Sequence, residues 1–113
     1  VRTLGKIDKE TRETFAAKVR KFTSEGRVMI RHHARVKMRK RGIYINDVTD
    51  SLMKGEIIEV YPKDRPFPSC LIYSKVGGRP VHVVCSLSKK EAIVVTAYEP
   101  DPKKWIDFKI RKR

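Results

Sequence analysis

The sequence predicts an α+β protein: an N-terminal helix, then strand–helix–helix, then a four-stranded antiparallel meander with the helices packed on one face. Three observations carry this. Apolar side chains recur at helical spacing before Gly55 and at strand spacing after it. The strand segments after Gly55 are joined by short connections, which favour antiparallel neighbours. A chain of 113 residues with 40% apolar side chains is large enough to bury one core but not two. It is accordingly read as one domain over residues 1–113.

The first element runs from Asp8 to about Glu25. Asp8 is a suitable N-cap, Thr11, Phe15, Val19 and Phe22 form a stripe, and Gly26 is a stop. Val28-Met29-Ile30 reads as a short strand. A basic helix follows and ends at Gly42. Asn46 is expected to cap a further helix through Lys54, with Val48, Leu52 and Met53 turned inward. Glu56–Tyr61, Ser69–Val76, Arg79–Leu87 and Ala92–Tyr98 are rich in Val, Ile and Tyr and read as the four strands. Three prolines make residues 62–68 a stiff exposed loop. Beyond Trp105 the basic tail, residues 106–113, is expected to fray.

Gly77-Gly78 suits a two-residue primed turn, so Val76 should close on Arg79. That register places Cys70 opposite Cys85 and Tyr73 opposite His82. The cysteines then fall at a hydrogen-bonded pair, where side chains are too far apart for a good bridge, and two reduced thiols in a cytoplasmic protein are expected. Alternation along the strands turns Ile58, Val60, Ile72, Val83, Cys85, Ile93, Val95 and Ala97 toward the helices. It leaves Glu59, Tyr61, Tyr73, His82, Thr96 and Tyr98 on the opposite, open face, where an acid, an imidazole and tyrosines stand together.

Charge narrows the function classes. With 27 Lys and Arg against 13 Asp and Glu, the net charge is +14. An anionic partner is implied: nucleic acid, an acidic protein or an anionic membrane surface. The basic charge is densest between Arg31 and Arg41, where Arg31, Arg35, Lys37, Arg39, Lys40 and Arg41 flank only Ala34, Val36 and Met38. This is too little apolar surface for a membrane-lying helix, and no apolar run is long enough to span a bilayer. No apolar signal core opens the sequence either, so a cytoplasmic protein is expected. RNA is the preferred partner, because a dense positive face meets phosphate through charge-assisted hydrogen bonds and counterion release. No cofactor is implied. Adjacent His32 and His33 point about 100° apart on a helix, so a metal site there is disfavoured.

Five segments in order carry a family resemblance: His33-Ala-x-x-x-Met-x-x-Arg41-Gly42; Gly55-Glu-Ile-Ile-Glu59-x-Tyr61-Pro62-x-Asp64-Arg65-Pro66; Ser69-Cys70-Leu71; Gly78-Arg79-Pro80-x-His82-Val-Val84; and Thr96-x-Tyr98-Glu-Pro-Asp-Pro-x-x-Trp105. Over roughly residues 28–105 the chain resembles the domain-of-unknown-function family numbered 4258. That family is similar to the wider RelE and barnase-like group of small ribonucleases, which includes toxins of toxin–antitoxin pairs. The resemblance implies a RelE-like fold and metal-independent RNA cleavage.

Such cleavage needs a base for the 2′-hydroxyl, an acid for the 5′-oxygen and cations for the crowded phosphate. His82 or Glu59 is the candidate base, and His33 or the other member of that pair the acid. Arg65, Arg79 and Arg41 are candidates to hold the phosphate. Tyr98, Tyr61 and Tyr73 would orient the scissile nucleotide or stack on bases. Arg35, Lys37, Arg39 and Arg41 would bind the RNA backbone, and His33, Lys37 and Arg41 share one helical face. Two alternatives use the same charge: a nucleic-acid-binding module without chemistry, and a basic interaction domain covered by an acidic antitoxin-type protein. The oligomeric state is left open.

Overall fold

A computed structural model describes residues 8–112. The ends of the expected 1–113 domain, residues 1–7 and Arg113, lie outside them. Helix α1 spans Lys9–Ser24 and strand β1 Val28–Ile30; helices α2, His32–Lys40, and α3, Ile45–Lys54, follow. The strands β2, Glu56–Tyr61, β3, Ser69–Val76, β4, Arg79–Leu87, and β5, Ala92–Tyr98, come next. Two short strands, β6, Trp105–Ile106, and β7, Ile110–Arg111, end the fold.

The helices begin and stop where local chemistry dictates. Asp8 accepts from the Thr11 backbone N–H at 2.7 Å, and this bond holds its carboxyl pKa below the ordinary value. Gly26 and Gly42 adopt left-handed φ of 72° and 67°, which lets Arg27 N reach Phe22 O and Ile43 N reach Met38 O. Both helices thus end in the double-bonded glycine cap that satisfies their last carbonyls. Helix α3 departs from expectation at both ends. It begins at Ile45, because the Asp47 carboxylate reaches back to the Tyr44 N–H at 2.9 Å, making Tyr44 rather than Asn46 the cap. At the other end Met53 is exposed.

The sheet corrects the expected four-stranded antiparallel meander. It has five strands in the order β1-β5-β4-β3-β2 and is mixed, since β1 lies parallel to β5. The meander is present in β2 to β5, but β5 is not an edge. Its outer backbone groups pair with β1, as in Ala92 N to Arg27 O at 3.0 Å and Arg31 N to Val94 O at 3.3 Å. A three-residue strand carries no periodicity that reveals its partner; the unpaired backbone of β5 decides it. The strand count and arrangement therefore differ from the RelE-like pattern implied by the resemblance.

The central hairpin follows the glycine turn as expected. Gly77 and Gly78 sit at φ 58° and 80°, Val76 pairs with Arg79, Cys70 with Cys85, and Tyr73 with His82. Both cysteines are free and buried; the adjacent Cys85 thiol and burial push the Cys70 thiol pKa up.

The two sheet faces are closed differently. On one, Val19 of α1, Ala34 and Met38 of α2, and Val48 and Leu52 of α3 meet Ile57, Cys70, Ile72, Val81, Val83, Cys85 and Val94 in an aliphatic core. Gly55 permits the close approach of α3: a Cβ there would stand 2.4 Å from Ile72 Cγ2 and 2.5 Å from Ser51 O. The other face gathers Tyr61, Leu71, Val84 and Trp105 with Ile58, Val95 and Tyr98. Ile58 and Val95 were expected among the helices. Bulges between Ile57 and Glu59, and opposite Val84 and Cys85, turn them to the far side. Among the described residues no helix is long and apolar enough to cross a membrane.

Candidate functional site

The far face of the sheet was expected to be open. It is covered by the segment expected to fray. Strands β6 and β7 form a hairpin, with Trp105 paired to Arg111 and Ile106 to Ile110, that lies over β2, β3 and β4. His82, at the centre of this face, is fully buried. Trp105 meets its ring edge-on at 4.6 Å between centroids, Tyr98 at 5.4 Å and Tyr73 at 6.1 Å.

Both imidazole nitrogens are engaged. Nε2 lies 2.6 Å from the carbonyl oxygen of Phe108, which only accepts, so Nε2 carries the proton. Nδ1 is left to accept from the Tyr98 hydroxyl at 3.3 Å. Burial holds the His82 pKa below its ordinary value and keeps the ring neutral. In this arrangement the ring is a satisfied buried histidine with both nitrogens engaged.

Glu59 is likewise occupied. Arg111 Nε donates to its two oxygens at 3.0 and 3.2 Å, and the Tyr61 hydroxyl donates to the same carboxylate. Burial and the bond to Glu59 push the Tyr61 phenol up to about 12. Burial works against the Arg111 charge, but Tyr61 and Glu59 outweigh it and raise its pKa. The guanidinium also lies 4.6 Å over the Trp105 ring. On the outer side Lys109 pairs with Glu56 at 3.0 Å, and Phe108 stacks with Tyr73 at 6.5 Å. Glu59, Tyr61, Tyr73, His82 and Tyr98 are therefore gathered on one face, as their strand register requires.

The remaining candidates stand elsewhere. His33 is exposed on α2, which belongs to the helix layer, so it does not join His82. Arg65 is exposed in the proline loop between β2 and β3, with no hydrogen bond or ion pair among the described residues. Arg79 and Arg41 hold the fold together. Arg79 donates to Arg41 O at 2.6 Å and Gly42 O at 3.1 Å, bonding carbonyls at the end of α2, and pairs with Glu99 at 2.9 Å. Arg41 donates to Ala97 O at 2.8 Å. These bonds tie α2 to β4 and β5. Arg35 and Arg39 are exposed and Lys37 is half-buried. Among the described residues no group of three or more His, Cys, Asp or Glu side chains is placed to hold a metal ion.

Sequence reasoning missed Trp105, Phe108, Arg111 and Tyr44. For Phe108 and Arg111 a signal was present: from Ile106 to Arg111 apolar and charged residues alternate, as in a strand. Tyr44 follows the basic run and is 72% exposed, an aromatic ring offered to solvent beside cations.

Comparison with curated proteins and with solved structures finds no match. A family match does exist, and it covers residues 30–99, from the end of β1 to just past β5, leaving α1 and the covering hairpin outside. It takes in the basic helix, the buried His82 and the Glu59 strand, and by it the chain belongs to the family described as Domain of unknown function (DUF4258).

Proposed function

We propose that this protein binds single-stranded RNA through the exposed basic side of α2. The observation that carries this reading is the unneutralised charge of that helix. Arg31, Arg35, Arg39 and Lys40 are exposed, and no residue of α2 or its cap Arg31 takes part in an ion pair among the described residues. Like charges at helical spacing repel one another. A polyanion converts that cost into affinity by releasing its condensed counterions. Tyr44, exposed just past the helix, adds a surface for an unpaired base, which favours a single strand over a duplex.

The test is anisotropy of a labelled single-stranded RNA over a salt series. Replacing Arg35, Arg39 and Lys40 together by Ala should lower the slope of log affinity against log salt by about 2. Binding whose salt slope is unchanged in the triple variant removes α2 from the interface.

A second reading, metal-independent endoribonuclease activity, draws on one observation: Glu59, Tyr61, His82 and Tyr98 share a single face within the family-matched region. There Glu59 or His82 would take the 2′-hydroxyl proton, the other would protonate the 5′-oxygen, and a freed arginine would hold the phosphate. RNA incubated in EDTA should then yield a 2′,3′-cyclic phosphate end, and His82→Ala should abolish it. Intact RNA under conditions where binding is saturated leaves the binding reading alone.

A further inference from the structure

We infer that the C-terminal hairpin is a displaceable cover over the Glu59–His82 cluster, and that single-stranded RNA displaces it by offering its phosphates in place of two carboxylates. This inference rests on the RNA-binding reading above.

Four observations argue for a cover rather than a permanent part of the core. First, its charged attachments are two ion pairs to anions, Arg111 with Glu59 and Lys109 with Glu56, which stand beside the hydrogen bond from His82 to Phe108 O, and three of the four charged side chains are between 37 and 45% exposed. A phosphate can reach these cations and bond them as a carboxylate does, Arg111 in bidentate fashion. Second, apart from the buried Trp105, the hairpin presents the wrong residues for permanent burial. Ile106 and Ile110 face solvent, 46 and 62% exposed, while Arg111 is turned inward beside Trp105. An element that never leaves its sheet gains more from burying the isoleucines.

Third, the hairpin is closed by its own backbone bonds. Lys109 N meets Ile106 O at 3.0 Å across a turn in which Asp107 and Phe108 stand at positive φ, 51° and 62°, and Lys112 N meets Lys104 O at 2.9 Å. The hairpin therefore carries its turn with it when it leaves the sheet. Fourth, every group beneath the cover lies within the family-matched residues 30–99, whereas the hairpin lies beyond them.

Undocking supplies what the cluster lacks. Phosphate bonded to Arg111 frees the Glu59 carboxylate. Loss of the Phe108 carbonyl opens Nε2 of His82 to solvent. Departure of Phe108 bares the Tyr73 ring, which a base can then occupy. The ligand that opens the site thereby also fills it.

Trp105 is the only tryptophan, so its emission reports on the hairpin directly. A short fluorophore-labelled single-stranded RNA is titrated into the full chain. Label anisotropy reports binding, while Trp105 emission and acrylamide quenching report exposure in the same sample. A red shift with stronger quenching, saturating together with the anisotropy, is the expected result. Inorganic polyphosphate, which has no bases to stack on the indole, should produce the same red shift. Arg111→Gln should show the shifted emission before RNA is added, with little further change afterwards; far-UV circular dichroism checks that it folds, and the parent titration decides the matter if it does not. RNA binding with Trp105 emission unmoved overturns the cover and leaves the α2 interface standing. An unchanged anisotropy overturns both.

Discussion

Ile72 and Leu71 are neighbours on β3, both 1% exposed, yet they face two different interiors. Ile72 meets α3 and the aliphatic core, where α2 is tied to the sheet by Arg41 and Arg79 at its glycine-capped end and α3 by the Ser51–Ser74 hydroxyl pair at 2.5 Å. Leu71 lies in a cluster of Tyr61, Val84 and Trp105, closed by a seven-residue hairpin from Trp105 to Arg111. The helix side buries aliphatic groups with few charges. The hairpin side buries a neutral imidazole, a phenol and an ion pair, and each is satisfied by a group on the hairpin or an adjacent strand. The first arrangement serves stability. The second keeps polar groups beneath a short hairpin held by Trp105, two ion pairs and the bond to His82.

The contrast is most sharply tested by truncating one residue on each side. Ile72→Ala should cost about 4 kcal/mol in urea denaturation, because the rigid helix layer cannot collapse into the cavity. Leu71→Ala should cost less, about 2 kcal/mol, since the hairpin can settle or admit water. Equal losses would make the two faces equivalent interiors.

Trp105→Ala should come next, at about 2 kcal/mol, below the usual range for a buried tryptophan. The loss is limited because the hairpin undocks rather than unfolding the sheet. Hydrogen exchange should then show the amides of β6 and β7 deprotected while those of β4 remain slow. Loss of protection throughout the sheet would mean that the hairpin is part of the cooperative core.

A smaller effect is expected from pH. The folded pKa of His82 lies below its unfolded value of 6.5, because burial disfavours the imidazolium. The unfolded chain therefore binds more protons between those two values. The stability contributed by neutral His82 is complete above the unfolded pKa and is lost as pH falls through it toward the folded pKa. His82→Gln retains an N–H for the Phe108 carbonyl without titrating. Its stability should fall less than the parent's between about pH 7 and pH 5. Parallel curves would assign the acid dependence to other groups.

The smallest effect marks the surface. Lys9 and Glu13 form an ion pair of 3.9 Å with side chains 89 and 66% exposed. Lys9→Ala should change stability by less than about 0.5 kcal/mol. A larger loss in thermal melts would show that α1 depends on its solvent face as well as on Phe15, Val19 and Phe22.

Much of this division was legible in the residues. The stripe on α1, the glycine stops, the Gly77-Gly78 turn and the Cys70–Cys85 and Tyr73–His82 pairings are local patterns, and each follows from spacing or from a φ that glycine adopts at least cost. The same alternation gathered Glu59, Tyr61, Tyr73, His82 and Tyr98 on one face. Ile58 and Val95 were misplaced because a bulge reverses the alternation without leaving a mark in composition. Arg41 and Arg79 read as phosphate ligands because a guanidinium bonded to carbonyls looks, in sequence, like a free one.

By itself, then, the sequence determined the α+β class, the antiparallel hairpins and the concentration of positive charge on α2, since all three depend on periodicity or on residue type within a few positions. Only the tertiary structure decided that β1 joins β5, that the hairpin closes over His82, and which arginines are spent on the fold. Those outcomes depend on backbone groups and carboxylates distant in sequence finding partners, and a local pattern does not record which partner is within reach.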